Sequence, residues 1–304
     1  MVYLKKFSIP NDKEESDCVC GFNIDPDRKL FEIDQSCYSQ NVYPFKVFNY
    51  KYVPLLEFEP ITIFYGNNGS GKSTLLNLIC EKLRMNRTTN LNMTPYFTKY
   101  INLCKYKLDD YARDIPRQSR FIASDDVFDF MLNIRAINEG VDIRRHELFD
   151  EYNAVKDDFK YNGPHQLRSL DDYDEFKRRQ DMKRQTRNQY TAPKLNTEIN
   201  LKSNGENALA FFTSKIQEHA LYLLDEPENS LSSEYQIRLA DYLENAARFF
   251  GCQLIISTHS PFLLAMKGAK IYDLDTVPVT TKRWTDLKNV RTYHDFFEKH
   301  RESF

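Results

Sequence analysis

The sequence lacks any apolar run long enough to cross a bilayer. Stretches such as Ala220 to Leu224 and Leu254 to Ile256 fall far short of the ~18 residues a spanning helix needs, so no membrane insertion is expected. It also lacks a secretory h-region, because Lys5 and Lys6 are followed by polar Ser8, Asn11, Asp12 and Lys13. Charge of one sign is not in excess: 42 Lys and Arg face 44 Asp and Glu, a net −2. That excludes a global positive field as the recruiter of nucleic acid or anionic lipid, leaving only a local patch. Cysteine is sparse, and Cys18, Cys20, Cys37, Cys80, Cys104 and Cys252 form no regular framework. A disulfide scaffold is thereby excluded and a reducing cytoplasm is expected. Repeats and Gly/Ser-rich or Pro-rich linkers are missing too, so any domains interleave instead of following one another.

What is present is a globular mixture of 41% hydrophobic, 14% aromatic and 28% charged residues over 304 positions. Such a chain holds one large domain or two interleaved lobes. Tyr3 to Ile9 and Leu55 to Tyr65, the latter broken by Pro60, read as strands from their aromatic and β-branched content. From Lys72 to about Met85, apolar residues recur at helical spacing. Leu221 to Leu224 and Gln253 to Ser257 read as buried strands flanking a helix marked by Ile237, Ala240, Leu243 and Ala247. This alternation predicts an α/β fold around parallel strands. Three segments are expected: 1–88 as an N-terminal lobe, 89–200 as a polar, mostly helical insert, and 201–304 as a C-terminal lobe. Within the insert, Arg120 to Ala123 reads as a short strand, and helices are predicted near 126–160 and 172–188. The basic run Lys177 to Arg187 reads as a solvated helix, with a polyanion or partner contact as its alternative.

Gly66-Asn67-Asn68-Gly69-Ser70-Gly71-Lys72-Ser73 satisfies G-x-x-x-x-G-K-[ST] between a predicted strand and a predicted helix, the context that gives the motif its meaning. Three of the nine glycines fall in its first six positions, as needed where bare backbone must curl its N–H groups around phosphates. The helix N-terminus adds positive potential. Lys72 is expected to reach the β- and γ-phosphates, Ser73 to ligate Mg²⁺, and Thr74 to support the α-phosphate.

Leu221-Tyr222-Leu223-Leu224-Asp225-Glu226 delivers two acids at the C-terminal end of an apolar strand, the end where open α/β sheets bind ligands. Asp225 is expected to hold Mg²⁺ through water, and Glu226 to polarise the attacking water as general base. The strand ending at Ser257 leads into Thr258-His259-Ser260-Pro261, which puts His259 where it would sense a γ-phosphate.

Together these residues resemble the ABC-type branch of P-loop ATPases, in the wording of the OLD-like and RecF-like or SMC-like members of the AAA family ATPases. GNNGSGKST at 66–74 resembles the Walker A motif. LYLLDEPENSL at 221–231 resembles the Walker B motif with catalytic glutamate and D-loop, and ISTHSPFLL at 256–264 resembles the switch-histidine segment. The resemblance implies a P-loop NTPase head with a mixed sheet, flanking helices and an inserted helical lobe. It also implies a degenerate signature at Leu201 to Glu206, where Ser203 and Gly205 would meet the ATP of a second subunit; Ser203 also reads as a plain helix N-cap with Glu206 three residues on. Two departures stand out: Ser232 occupies the place of the D-loop aspartate, and no glutamine sits at the Q-loop, for which Arg120 to Ser124 with Asp125 and Asp126 is the positional candidate and Gln118 a weaker one. An adenine-stacking ring would come from Phe45, Phe48, Tyr50 or Tyr52, although strand aromatics are more often core. Zinc at Cys18, Cys20 and Cys37 lacks a fourth ligand and is not expected.

The insert is too short for long coiled coils, and the 45 residues after His259 leave no room for an appended nuclease domain. The resulting expectation is a soluble, cytoplasmic ATPase that uses ATP and Mg²⁺ and forms a homodimer around ATP. It would act as a switch or motor for a separate effector protein, with nucleic acid left open as a partner and a role in bacterial DNA metabolism or antiphage defence implied by resemblance. An ABC-transporter subunit is the alternative. An ATP-assembled scaffold and a small-molecule kinase are more distant readings.

Overall fold

The computed structural model describes residues 1–20, 42–89, 91, 94–112, 114–162, 191, 193, 204–229 and 231–303. Its chain forms two compact units, Met1–Phe128 with Asn204–Phe304, and Asp129–Ser203.

The first unit is built on a six-stranded sheet. Its strands are β3 (Ile61–Tyr65), β5 (Arg120–Ala123), β6 (Leu221–Asp225), β7 (Gln253–Ser257), β8 (Lys270–Asp273) and β9 (Thr280–Lys282), in the order β5-β6-β7-β3-β8-β9. The first five run parallel and β9 closes one edge antiparallel, so the sheet is mixed. Every residue of β3 and β7 is buried. This is why they read as continuous apolar runs without alternation, as strands covered on both faces do. Helix α2 (Lys72–Lys82) buries Leu75, Leu76, Leu78 and Ile79 in the main core. Helices α5 (Asn204–Lys215) and α6 (Ser233–Phe249) precede and follow β6, and the short α7 (Pro261–Leu264) follows β7.

A second, three-stranded antiparallel sheet joins β1 (Leu4–Ser8), β2 (Leu56–Glu57) and β4 (Lys105–Leu108) in the order β2-β1-β4. A buried glutamine ties it to the main sheet. Gln253 Oε1 accepts from the backbone N–H of Tyr3 and of Leu4 at 2.7 and 2.8 Å, and its Nε2 donates to Leu4 O at 2.9 Å. Helix α1 (Asp12–Cys20) and helix α3 (Pro95–Leu103) lie in this part of the chain, and Glu15 of α1 accepts from the Tyr100 hydroxyl of α3 at 2.8 Å.

The expected insert 89–200 is corrected here. Within it, α3, β4 and β5 belong to the first unit, because β4 completes the small sheet and β5 is the edge of the large one. The second unit begins at Asp129, inside the long helix α4 (Ser124–Asn162). There, buried Met131, Ile134, Asn138, Val141, Leu148 and Tyr152 follow the three-and-four spacing of one helical stripe. The helix expected near 172–188 and the basic run 177–187 lie outside the described residues. Among the described residues no helix is long and apolar enough to cross a membrane.

Candidate functional site

Strand β3 runs into Gly66, and the chain turns through Gly69 and Gly71 before α2 begins at Lys72. Gly71 has φ of 100°, a left-handed conformation that glycine adopts without penalty. A Cβ there would stand 2.7 Å from the Phe48 ring, so the loop is also pressed closely against the segment before it. A hollow of about 510 Å³ is lined by Val47, the residues from Asn68 to Thr74, and Glu226.

The parallel register brings three strand ends to this loop. Asp225 pairs with Ser257 across β6 and β7, and Phe64 pairs with Ser257 across β3 and β7. The Ser73 hydroxyl donates to Asp225 Oδ1 at 3.0 Å, and the Ser257 hydroxyl donates to the same oxygen. Burial pushes the Asp225 carboxyl above the usual carboxylate range, opposed by the bonds from Ser257 and Ser73. Glu226 follows with φ of 46°, an uncommon conformation for a non-glycine residue. Its backbone N–H is held by Ser257 O at 3.0 Å and Ser257 Oγ at 3.1 Å. Left-handed backbone at a non-glycine costs about 1–2 kcal/mol and persists where surrounding bonds over-determine it.

Lys72 is 4% exposed. Its Nζ donates to Gly66 O at 2.8 Å and Asn67 O at 3.3 Å, and lies 3.5 Å from Glu226 Oε1. His259 Nδ1 stands 3.7 Å from that same Glu226 oxygen. Lys72, Ser73, Asp225, Glu226 and His259 therefore form one connected constellation. Thr74 is buried at the base of the loop and accepts from the Tyr43 hydroxyl at 3.3 Å.

The remaining expected positions separate. Ser203 lies outside the described residues. Gly205 is buried in α5, where a Cβ would stand 2.3 Å from the Tyr235 ring of α6, so close helix packing within this chain is itself a reason for glycine there. Gln118 is at the wrong end of the sheet for a phosphate contact, its side chain donating to Glu218 O and His219 O at 3.2 Å before β6 begins. Asp126 is engaged structurally, accepting from Ala123 N at 2.9 Å and Thr89 Oγ1 at 2.7 Å. Phe45 and Phe48 are core residues, whereas Tyr50 and Tyr52 are exposed. Ser232 is the N-cap residue of α6. Of the cysteines weighed for zinc, Cys37 and the Cys20 side chain lie outside the described residues.

Sequence reasoning missed several groups that hold the site. Ser257 was recognised as a strand end, though its hydroxyl grips both Asp225 and Glu226. Lys51 Nζ donates to Ser70 O at 2.6 Å and Leu274 O at 3.2 Å, and both oxygens of Asp275 accept from Asn67 N at 2.9 and 3.0 Å. Glu228 and Asn289 hold the turn around His259. Only Ser257, a small polar residue closing an apolar run at the acidic strand's neighbour, left a signal in the sequence.

The oxygen donors at Ser73 and Asp225 suit a hard cation such as Mg²⁺, which prefers such ligands and keeps several waters. The glycine turn, the α2 N-terminus and Lys72 suit a polyphosphate.

Residues 97–265, more than half of the chain, match the family described as "AAA domain, putative AbiEii toxin, Type IV TA system". The chain belongs to this family. The matched stretch holds the carboxylate strand and the histidine turn, and the phosphate loop precedes it. The chain is thus an AAA-domain protein whose phosphate loop, carboxylate strand and histidine turn follow one another in sequence. No curated protein matches the sequence significantly. Many solved structures are similar to this chain, and two of them serve as examples. One is the dimeric post-hydrolysis ATP-binding cassette MJ0796 bound to ADP and Pi, 13% identical, covering 77% of this chain and 90% of that one at a TM-score of 0.35. The other is an Smc head domain from Pyrococcus furiosus with an extended coiled coil, bound to the C-terminal domain of ScpA. It is 14% identical and covers 99% of this chain and 100% of that one at a TM-score of 0.41.

Proposed function

We propose that the protein binds Mg·ATP at the 66–74 loop, hydrolyses it to ADP and phosphate, and uses the cycle to open and close a homodimer that switches a separate effector. The observation that carries this reading is the convergence of Ser73 and Asp225 with Glu226, Lys72 and His259 at one sheet edge.

In this reading N–H groups of the loop beyond Asn67, up to Thr74, cradle the phosphates. Lys72 releases the carbonyls of Gly66 and Asn67 to meet the β- and γ-phosphates. Mg²⁺, held by Ser73 and through water by Asp225, would neutralise charge developing on the phosphate oxygens. Glu226 takes the proton of the attacking water, and His259, beside the same carboxylate, contacts the γ-phosphate. Ser203, with the α5 N-terminus that contains Gly205, meets the ATP of the second copy. A γ-phosphate touched by both subunits favours the closed state, so ATP shifts the population toward the dimer. We place this activity in the cytoplasm, in bacterial DNA metabolism or antiphage defence, with the 177–187 basic run as the candidate nucleic-acid contact.

The test is the molar mass of the Glu226→Gln protein in solution, with and without Mg·ATP, by light scattering after size exclusion. A doubling on ATP is expected. Mass that ignores ATP, in protein shown separately to bind it, overturns the dimer and with it the assignment of Ser203 and Gly205 to a second nucleotide.

A further inference from the structure

Both peptide groups of His259 are grasped by side chains from other elements. Its N–H donates to Glu228 Oε1 at 3.1 Å, and its C=O accepts from Asn289 Nδ2 at 2.9 Å. Glu228 does more on the same oxygen: it accepts from Thr258 Oγ1 at 2.5 Å and from Ser260 N at 3.3 Å. One carboxylate from the loop after β6 thus organises the whole turn after β7.

Asn289 comes from the opposite side. It lies in the first turn of α8 (Lys288–Lys299), and its own N–H donates to the Tyr65 hydroxyl at 3.0 Å. Tyr65 ends β3, immediately before Gly66. The start of α8 therefore connects the strand that feeds the phosphate loop with the peptide that carries the histidine.

The arrangement is costly, which argues that it does something. Glu228 is 5% exposed, and its second oxygen, Oε2, is buried without a hydrogen-bond partner. A buried acceptor left unmet costs about 1–3 kcal/mol, and such groups in native proteins call for an explanation. Burial also pushes the Glu228 carboxyl upward, opposed by the bonds from Thr258 and His259. An apolar residue of similar size would avoid both penalties but would leave the Thr258 hydroxyl and the His259 N–H without this acceptor, while Ser260 N would keep its bond to Thr258 Oγ1 at 3.0 Å.

We propose that Glu228 and Asn289 are positioning residues for hydrolysis, fixing the His259 peptide from its two sides so that the imidazole stays beside Glu226. The inference rests on the roles given above to Glu226 and His259. Neither side chain needs to touch nucleotide; each acts through His259. By way of Asn289, helix α8 becomes part of the support of the site.

The experiment is a double-mutant cycle on the full chain, reading kcat and KM for Mg·ATP together with the affinity for a fluorescent ATP analogue. Asn289→Ala and Glu228→Ala are each expected to lower kcat about tenfold or more. KM and analogue affinity should stay within about twofold, because the phosphate loop is untouched. Glu228→Gln keeps a carbonyl acceptor and is expected to recover most of the kcat lost in Glu228→Ala, which also covers the case in which the alanine variant fails to fold. In a His259→Ala background, adding Asn289→Ala is expected to cost nothing further, as for residues acting through one shared group. Additive losses, or full kcat in Asn289→Ala and Glu228→Ala alongside a slow His259→Ala, overturn the positioning role while leaving the histidine's role intact. Full kcat in His259→Ala overturns the histidine's role and the inference together.

Discussion

Ser73 and Asp225 are 152 positions apart in sequence, yet the hydroxyl of the first donates to the carboxylate of the second at 3.0 Å. The contact is made by topology: β7 lies between β3 and β6, and the parallel register ends all three strands at one edge. Asp225→Asn keeps an acceptor for Ser73 but removes the negative charge that would hold a metal-bound water. The expected outcome is a loss of Mg²⁺-dependent turnover of roughly 10² or more, with metal-free nucleotide binding little changed. Steady-state hydrolysis and analogue titration across Mg²⁺ concentrations check it. Undiminished Mg²⁺-dependent turnover in Asp225→Asn removes the residue from the metal site.

The two interior loop glycines should respond differently to a methyl group. Gly69 has φ of 80° with nothing near its added Cβ, whereas Gly71 has φ of 100° and meets the Phe48 ring at 2.7 Å. Gly69→Ala should cost about 1–2 kcal/mol, the backbone penalty alone. Gly71→Ala should cost more, and because Gly71 is the N-cap of α2 it should also displace the donors of that helix and weaken nucleotide binding. Denaturant midpoints and nucleotide titration of both variants decide. Equal stability in the two would mean that the contact with Phe48 yields freely.

How much of this was legible follows from where the information lies. Strands β3, β6 and β7 were readable because burial on both faces leaves unbroken apolar runs, and the phosphate loop because its chemistry fixes residue types at fixed spacing. Strand β4 was not readable: Lys105-Tyr106-Lys107-Leu108 is a largely exposed edge strand, and a charge-rich surface looks alike in a strand and in an inserted lobe. That is why the insert was placed at 89–200 instead of beginning at Asp129. Lys51, Glu228, Asp275 and Asn289 were invisible for another reason. Each acts on a partner far along the chain, apart from Lys51 on Ser70, and a polar side chain's partner is a property of the fold.

The buried acid Glu15 predicts a pH dependence of stability. Burial raises its pKa above the usual carboxylate value, opposed by the bonds from Tyr100 and the Lys46 N–H. Between the unfolded and the raised folded value, the folded state binds more protons than the unfolded state. Stability from this group is therefore lost as pH rises through that window. Glu15→Gln cannot ionise, so the wild type should lose stability relative to it as pH climbs from the acid side, whatever constant offset the lost hydrogen bond adds. Denaturation midpoints of both proteins across the acidic range check the slope, and a difference that grows in favour of the wild type would contradict the buried ionisation.

The phosphate loop is braced from outside its motif, and the brace should matter most when nucleotide is absent. Asp275 accepts from Asn67 N with both oxygens, and Lys51 holds Ser70 O and Leu274 O; burial lowers the Lys51 pKa, with Asp275 opposing. These bonds fix the loop from both ends of its turn, so the N–H groups meant for phosphate need no reorganisation on binding. Asp275→Ala frees the Asn67 N–H, and Lys51→Met keeps the stem while removing the ammonium. Either variant should weaken Mg·ATP binding several-fold, on the order of the 1 kcal/mol carried by one hydrogen bond. Because neither side chain contacts the reacting atoms, the loss should fall on KM with kcat nearly unchanged. A fall in kcat at constant KM would mean that Asp275 or Lys51 acts in the transition state, not in shaping the loop.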